Sequence, residues 1–138
     1  MLIGALALGG LAAARWFNIG GRIDTTALSV AQAHDAARRG TLTLIDIRRP
    51  DEWSRTGVPQ GAHPLDMRDP AFSQKLLALV PDSDAPIALI CARGVRSRGL
   101  AQRLTGAGFT NILDVPEGML GSGAGPGWLA AGLPVITR

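Results

Sequence analysis

Short, largely apolar runs that alternate with helical patterns constrain the fold of this chain more than any other sequence feature. Four runs are rich in β-branched residues and have the length of buried strands: 41–47, 86–91, 112–115 and 134–136. Turn residues flank these runs, and Gly40, for example, precedes the first run. We therefore expect four strands, with Asp46 near the end of the first strand and Cys91 at the end of the second.

Helical patterns lie between these strands. A capping-box sequence at Ser29 predicts a helix over 30–39, and apolar spacing predicts another from 97 to 104. Asp69 as N-cap, with Pro70 as the first helical residue, predicts a third helix that ends before Pro81. Strands that alternate with helices in this way predict an α/β fold, with a mainly parallel central sheet flanked by helices.

Length and composition narrow the function. A chain of 138 residues fits one core, and its net charge of +3 is too small to suggest a nucleic-acid partner. The sequence has one cysteine, which can form no internal disulfide and cannot supply the four ligands of a structural zinc. Cys91 is therefore either an inert buried thiol or a reactive one.

The N-terminal segment is treated apart from the fold. The run from Leu2 to Ala14 is uncharged and apolar or small, but it is shorter than the roughly 17 to 25 residues of a membrane span. It has the length of a signal-peptide core and ends in small residues. We interpret residues 1–20 as an export signal or membrane anchor, which favours a periplasmic or membrane-anchored location and possible membrane association through residues 2–14. A docked or disordered helix is the alternative, and residues 21–138 form the predicted domain.

The residues after Cys91 point to chemistry at its sulfur. They are Ala92, Arg93, Gly94, Val95, Arg96 and Ser97, and they pass from a strand through a glycine turn into a helix. Backbone N–H groups in such a turn form a bowl that binds anions, and a helix N-terminus and arginines favour the thiolate. A thiol in the core is the alternative, but the arginines that follow would be costly to bury. This sequence favours a functional cysteine.

The segment 91–97 resembles the active loop of the rhodaneses, a family of sulfurtransferases. The segment 45–53 is similar to the family's early Asp-x-Arg-x-x-x-Glu motif, and 57–62 is similar to the turn that follows it. The segments 117–120 and 128–135 resemble the family's closing segment. These segments follow the family's order across residues 27–136. The chain is thereby identified as a single-domain rhodanese-like protein.

The resemblance implies a rhodanese-like three-layer sandwich and sulfur transfer through a persulfide on Cys91. The donor is then a small anion such as thiosulfate, to which Arg93 and Arg96 add positive charge, and the acceptor is cyanide or a thiol. Asp46 and Arg48 are expected to brace the active loop by hydrogen bonds. No metal and no organic cofactor is implied. Mercaptopyruvate is a less favoured donor, because its users in the family have small residues in this loop.

Two departures from the family and two rival functions stay open at this point. Residues 121–127 look like an insertion, which either shapes the acceptor entrance or is a flexible linker, and Pro59-Gln60-Gly61 replaces a more usual Pro-Gly turn. A cysteine phosphatase or arsenate reductase is a rival, but a phosphatase needs an arginine where Ser97 stands. A non-catalytic module that binds a partner is the other. His34 and His63 have no metal-like spacing and are interpreted as structural or surface residues.

Overall fold

A computed structural model of the protein describes residues 27–138. Its strands are β1 (Thr43–Asp46), β2 (Val58–Pro59), β3 (Ala62–Pro64), β4 (Ile87–Ile90), β5 (Ile112–Asp114) and β6 (Val135–Ile136). Its helices are α1 (Val30–Arg39), α2 (Pro50–Thr56), α3 (Phe72–Leu79) and α4 (Val95–Gly106). The expected alternation of strands and helices is therefore present.

Four strands form the central sheet, in the order β3-β1-β4-β5, and every pair in it is parallel. Successive side chains of β1 and β4 point to opposite faces of this sheet. Ile45 and Leu89 enter one apolar cluster, whereas Leu44 and Ile90 enter the other. Both faces of the sheet are therefore buried, which explains why these strands are continuously apolar in the sequence.

Helices cover both faces and complete three layers. Phe72 and Leu76 of α3, with Leu100 and Leu104 of α4, pack on the first face. Val30 and Ala33 of α1 pack on the second face together with Trp128, which has no exposed surface. The prediction of a mainly parallel sheet flanked by helices is confirmed.

Two elements differ from the sequence-based expectation. Helix α3 begins at Phe72 and not at Pro70, because the Asp69 carboxylate accepts the Ala71 N–H at 2.8 Å and closes a separate turn before the helix. Strand β6 does not join the parallel sheet. It pairs antiparallel with β2, a two-residue strand that the sequence did not predict.

The sequence also did not predict α2, a helix of seven residues that opens with Pro50. The predictions for residues 1–20, including the apolar run 2–14, lie outside the described residues. Between residues 27 and 138, no helix is both long and apolar enough to cross a membrane.

Candidate active site

Cys91 directly follows β4, at the carboxyl edge of the parallel sheet, and only 1% of its surface is exposed. The segment 117–120 is hydrogen-bonded to the first two residues of the active loop. Met119 N–H donates to the Cys91 carbonyl and Leu120 N–H donates to the Ala92 carbonyl, both at 2.9 Å. The cysteine is thus fixed between the central sheet and the segment that follows β5.

The loop directs two backbone donors at the sulfur. Gly94 N–H donates to Cys91 Sγ at 3.1 Å, and Ser97 N–H donates to it at 3.4 Å. The thiol in turn contacts the Ser97 hydroxyl at 3.5 Å, and that hydroxyl donates to the Gly94 carbonyl. Because Ser97 lies in the first turn of α4, the positive end of the helix dipole also faces the sulfur. Two N–H groups and the start of a helix thus direct partial positive charge at the sulfur.

Further loop amides have no acceptor. Among the contacts of residues 27–138, the N–H groups of Arg93, Val95 and Arg96 donate no hydrogen bond. They lie in the same turn as the two amides that reach the sulfur, at the start of a twelve-residue helix. Unpaired N–H groups at a helix N-terminus are suited to bind an anion.

Gly94 allows this loop to form. Its φ is +88°, a left-handed conformation that other residues adopt only with strain. A Cβ at this position would lie 2.4 Å from the Pro116 carbonyl oxygen. Position 94 therefore requires glycine, because of its backbone angle and because the Pro116 carbonyl leaves no room for a side chain.

Arg96 is held by a carboxylate from another element. Its two terminal nitrogens donate to the two oxygens of Glu52 on α2, each at 2.8 Å, and Glu52 is 8% exposed. The hydrogen bond from Arg96 is the main cause that lowers the Glu52 pKa from 4.5 to about 2. Glu52 is likewise the main cause that raises the pKa of Arg96, and negative charge on Cys91 acts in the same direction. Arg96 therefore lies near the sulfur with its charge largely balanced.

Arg93 joins the active loop to the inserted segment 121–127. Its Nη1 donates to the carbonyls of Leu120 and Gly121, at 3.3 and 3.0 Å. The inserted segment is itself hydrogen-bonded, since Ser122 and Gly125 bond to each other through both backbone groups. The segment 121–127 is therefore a hydrogen-bonded loop beside the active loop.

Buried Glu117 ties this insertion to α1. Its carboxylate accepts the Gly127 N–H at 3.0 Å and the Val30 N–H at 3.1 Å. Val30 is the first residue of α1, so the carboxylate satisfies one of the unpaired N–H groups at that helix end. The sequence showed Glu117 only as part of the closing motif and gave no indication of this contact.

Asp46 and Arg48 form a buried ion pair with almost no exposed surface. Arg48 Nη2 donates to Asp46 Oδ2 at 2.8 Å and to the Gly57 carbonyl at 3.0 Å. Within the described residues, no hydrogen bond of this pair reaches the segment 91–97. The Arg48 guanidinium donates to Asp46 and to the Gly57 carbonyl. The carboxylate that accepts hydrogen bonds from the active loop is instead that of Glu52, the last residue of the Asp-x-Arg-x-x-x-Glu motif.

Neither histidine is among the hydrogen-bond partners of the sulfur in the described residues. The His34 ring meets Trp128 edge-on, with 5.5 Å between the ring centroids, and His63 is exposed on β3. In the part of the chain that the structure describes, no three His, Cys, Asp or Glu side chains are grouped as a metal site.

A groove of about 590 Å³ opens near the carboxyl ends of β1 and β3, outside the segment 91–97. Residues of α2, of the end of β3, of the connection that follows β3 and of α3 line it: Pro50, Trp53, Pro64, Leu65, Asp66, Arg68, Asp69 and Lys75. Its four charged side chains pair with each other, as Arg68 with Asp66 and Lys75 with Asp69. The groove offers little net charge to an anionic substrate.

Comparison with solved structures shows the same fold in several proteins. The Alr3790 protein from Anabaena superposes with a TM-score of 0.65 at 16% identity, covering 80% of this chain and 82% of that one. A polysulfide-sulfur transferase from Wolinella succinogenes gives 0.63 at 22% identity and 93% of each chain. Thiosulfate sulfurtransferase from Pseudomonas aeruginosa gives 0.63 at 23% identity, with 80% of this chain matched to 20% of that one.

Sequence comparison gives a relative of unassigned function and a family. An uncharacterized protein of Rickettsia conorii is 28% identical over 102 residues, which are 66% of this chain and 80% of that protein. The model of the rhodanese-like domain family matches residues 29–122, a span that includes the motif of β1 and α2 and the whole active loop. The chain therefore belongs to the rhodanese-like domain family.

Proposed function

We propose that this protein is a sulfurtransferase that carries sulfane sulfur as a persulfide on Cys91. One observation supports this most strongly: two loop amides donate to Cys91 Sγ, and three more amides of the same turn have no acceptor within residues 27–138. A persulfide places its negative charge one atom beyond Sγ. Amides fixed around that position stabilise both the thiolate and the loaded sulfur.

The first half-reaction takes sulfur from thiosulfate. The Cys91 thiolate attacks the outer sulfur of the donor and forms a new S–S bond. The bond between the donor's two sulfur atoms breaks, and its electron pair leaves with sulfite. The charges of the dianionic donor and of sulfite are met by the loop amides and by the Arg93 guanidinium group, whereas Arg96 is held by Glu52.

The second half-reaction returns the enzyme to its starting state. The carbon of cyanide, or the sulfur of a thiolate, attacks the outer sulfur of the persulfide. The Cys91 S–S bond breaks and its electron pair returns to Cys91 as thiolate. The products are thiocyanate or a new persulfide, so the cycle needs no external oxidant or reductant.

The charge arrangement also argues against phosphoryl transfer. A cysteine phosphatase clamps phosphate with an arginine at the position that Ser97 occupies here. Arg96 precedes this position and is held by both oxygens of Glu52. Neither side chain offers a bidentate clamp for a phosphoryl group.

Steady-state thiocyanate formation from thiosulfate and cyanide tests the function in the full chain. We expect turnover in the parent protein and none above background in Cys91→Ser, because a serine hydroxyl forms no persulfide. We expect Arg93→Ala to raise the KM for thiosulfate about tenfold, since a charge-assisted contact is lost. Arg38→Ala, an exposed arginine of α1, is the matched control and should leave KM unchanged. Undiminished turnover in Cys91→Ser would contradict the mechanism.

A further inference from the structure

The distribution of ion pairs leaves one positively charged surface around the active loop. Most basic side chains of residues 27–138 have a carboxylate partner within 4.0 Å. Arg93, Arg98, Arg103 and Arg138 have no such partner within the same residues, and Arg138 lies over the Trp53 ring instead. The other three lie in the active loop or in α4, the helix that the loop opens.

The arginines of α4 extend this charge along the outer side of the helix. Arg98 is exposed one turn after the loop. The Arg103 guanidinium lies back towards the loop, because its Nη1 is 3.6 Å from the position that a Gly99 Cβ would take. Gly99 has no side chain, and the exposed side chains from residue 98 to residue 103 are those of Arg98, Gln102 and Arg103.

Exposed apolar side chains adjoin these charges. Val95, next to the glycine that donates to the sulfur, is 70% exposed, and Leu120 is 44% exposed. Leu120 lies against the loop through its bond to the Ala92 carbonyl, and its own carbonyl accepts from Arg93. A small inorganic donor has no use for such a surface. We call the set Arg93, Val95, Arg98, Arg103 and Leu120 the loop face.

We infer that the loop face docks an acidic protein whose cysteine thiol accepts the sulfur. This inference rests on the proposed function, because the persulfide forms at the same loop. Carboxylates of the partner meet the arginines, and an apolar residue beside its cysteine covers Val95 and Leu120. The partner's thiolate then attacks the outer sulfur, the partner gains the persulfide and Cys91 returns to thiolate.

Two features favour a protein over a nucleic acid or a membrane. No aromatic side chain belongs to the loop face, so bases have no ring on which to stack. The face also adjoins the sulfur that has to leave, and a partner that removes it must supply a nucleophile there. Opposite charge speeds the encounter, and apolar contact beside the loop holds the partner's cysteine in place.

The experiment compares two acceptor peptides of equal length with the full chain. Each has one cysteine next to a leucine, flanked by glutamates in one peptide and by lysines in the other. Sulfur transfer from the thiosulfate-loaded protein is followed by mass spectrometry. At low ionic strength the acidic peptide should react about tenfold faster, and the preference should fall towards unity in high salt.

Charge variants locate the effect. Arg98→Glu combined with Arg103→Glu should reverse the peptide preference and change thiocyanate formation from cyanide less than about twofold, since cyanide needs no docking surface. Arg98→Gln with Arg103→Gln should lower the preference without reversing it. Arg38→Glu with Arg39→Glu makes the same change in net charge at the end of α1, which connects to the amino end of β1, and should keep the parent's preference.

The outcomes separate this inference from the function on which it rests. Equal rates for the two peptides, with normal thiocyanate formation, would overturn the loop face alone. An absence of thiocyanate formation in the parent protein would overturn both proposals. Sedimentation with phosphatidylglycerol vesicles that depends on Arg98 and Arg103, without any peptide preference, would assign the face to a membrane instead.

Discussion

Among the residues of the active loop, Gly94 is under the most structural constraints. Gly94 combines three properties: a left-handed backbone, an N–H that donates to the sulfur, and contact with the Pro116 carbonyl. Ser97 also contacts the sulfur, through its N–H and its hydroxyl, but it does so from within helix α4. Gly94 is therefore the position at which the shape of the loop depends most on one residue.

We predict that Gly94→Ala abolishes sulfur transfer and destabilises the fold. The left-handed conformation alone costs a side chain about 1–2 kcal/mol, and the clash with Pro116 adds to this. Gly40→Ala is the matched control, because Gly40 has a φ of +74° and a Cβ there would meet nothing within 4 Å. Urea unfolding should show that Gly40→Ala loses unfolding free energy for the backbone angle alone, about 1–2 kcal/mol, and activity assays should show full activity. Full activity in Gly94→Ala would contradict this role.

At this scale the sequence revealed the loop but not all of its contacts. The position of Cys91 and the need for a glycine three residues later follow from the strand-turn-helix pattern. The partners of Arg93 and Arg96 do not, because both are distant in sequence: Arg93 bonds to Leu120 and Gly121, and Arg96 bonds to Glu52. Long flexible side chains can reach many positions, and only the folded chain selects one.

Among the secondary-structure elements, the contact between α2 and α4 controls the charge beside the sulfur. Glu52 lies in the first turn of α2 and Arg96 lies in the first turn of α4. Their paired hydrogen bonds join the two helix N-termini at the carboxyl edge of the sheet. The sequence places Glu52 in a motif but predicts no helix there, because seven residues carry too little periodicity.

A double-mutant cycle with Glu52→Gln and Arg96→Ala should give a coupling energy of about 1 kcal/mol or more for folding. The reason is that this pair is bidentate and its carboxylate is mostly buried. The exposed pair Asp35–Arg38 on α1 is the control, and its coupling should stay below about 0.5 kcal/mol. Equal coupling in the two cycles would contradict a special role for the Glu52 contact.

The same pair predicts a pH dependence of stability. The Glu52 pKa is lowered in the folded chain from 4.5 to about 2, chiefly by Arg96. Its contribution is therefore complete above about pH 4.5 and is lost as the pH falls towards 2. Other carboxylates with lowered pKa values, such as Asp51, act in the same direction. Arg96→Ala should therefore lose less unfolding free energy across this interval than the parent, and an equal loss in both would contradict the assignment.

For the whole molecule, the parallel sheet explains why the chemistry lies where it does. Every strand of the central sheet points the same way, so β1 and β4 end at one edge. Asp46, Cys91 and the helix N-termini that follow these strands meet there. This part of the architecture follows from the alternation of strands and helices in the sequence.

The sequence did not predict how the first and last segments of the domain contact the rest of the fold. Strand β6 pairs with β2 through only two residues on each side, too few to produce a pattern. Glu117 connects the insertion to the start of α1, across a sequence separation of 87 residues. Such contacts depend on the final packing of segments that are distant in sequence. The strands and the active loop follow from patterns among residues that are close in sequence.

The central claim is that Cys91 carries sulfur, and the intact mass of the full chain tests it most directly. The protein is incubated with thiosulfate, freed of small molecules and weighed before and after dithiothreitol, with Cys91→Ser alongside. We predict a gain of one sulfur atom in the parent, its loss on reduction, and no gain in the variant. An unchanged mass in the parent, or the same gain in Cys91→Ser, would contradict the claim.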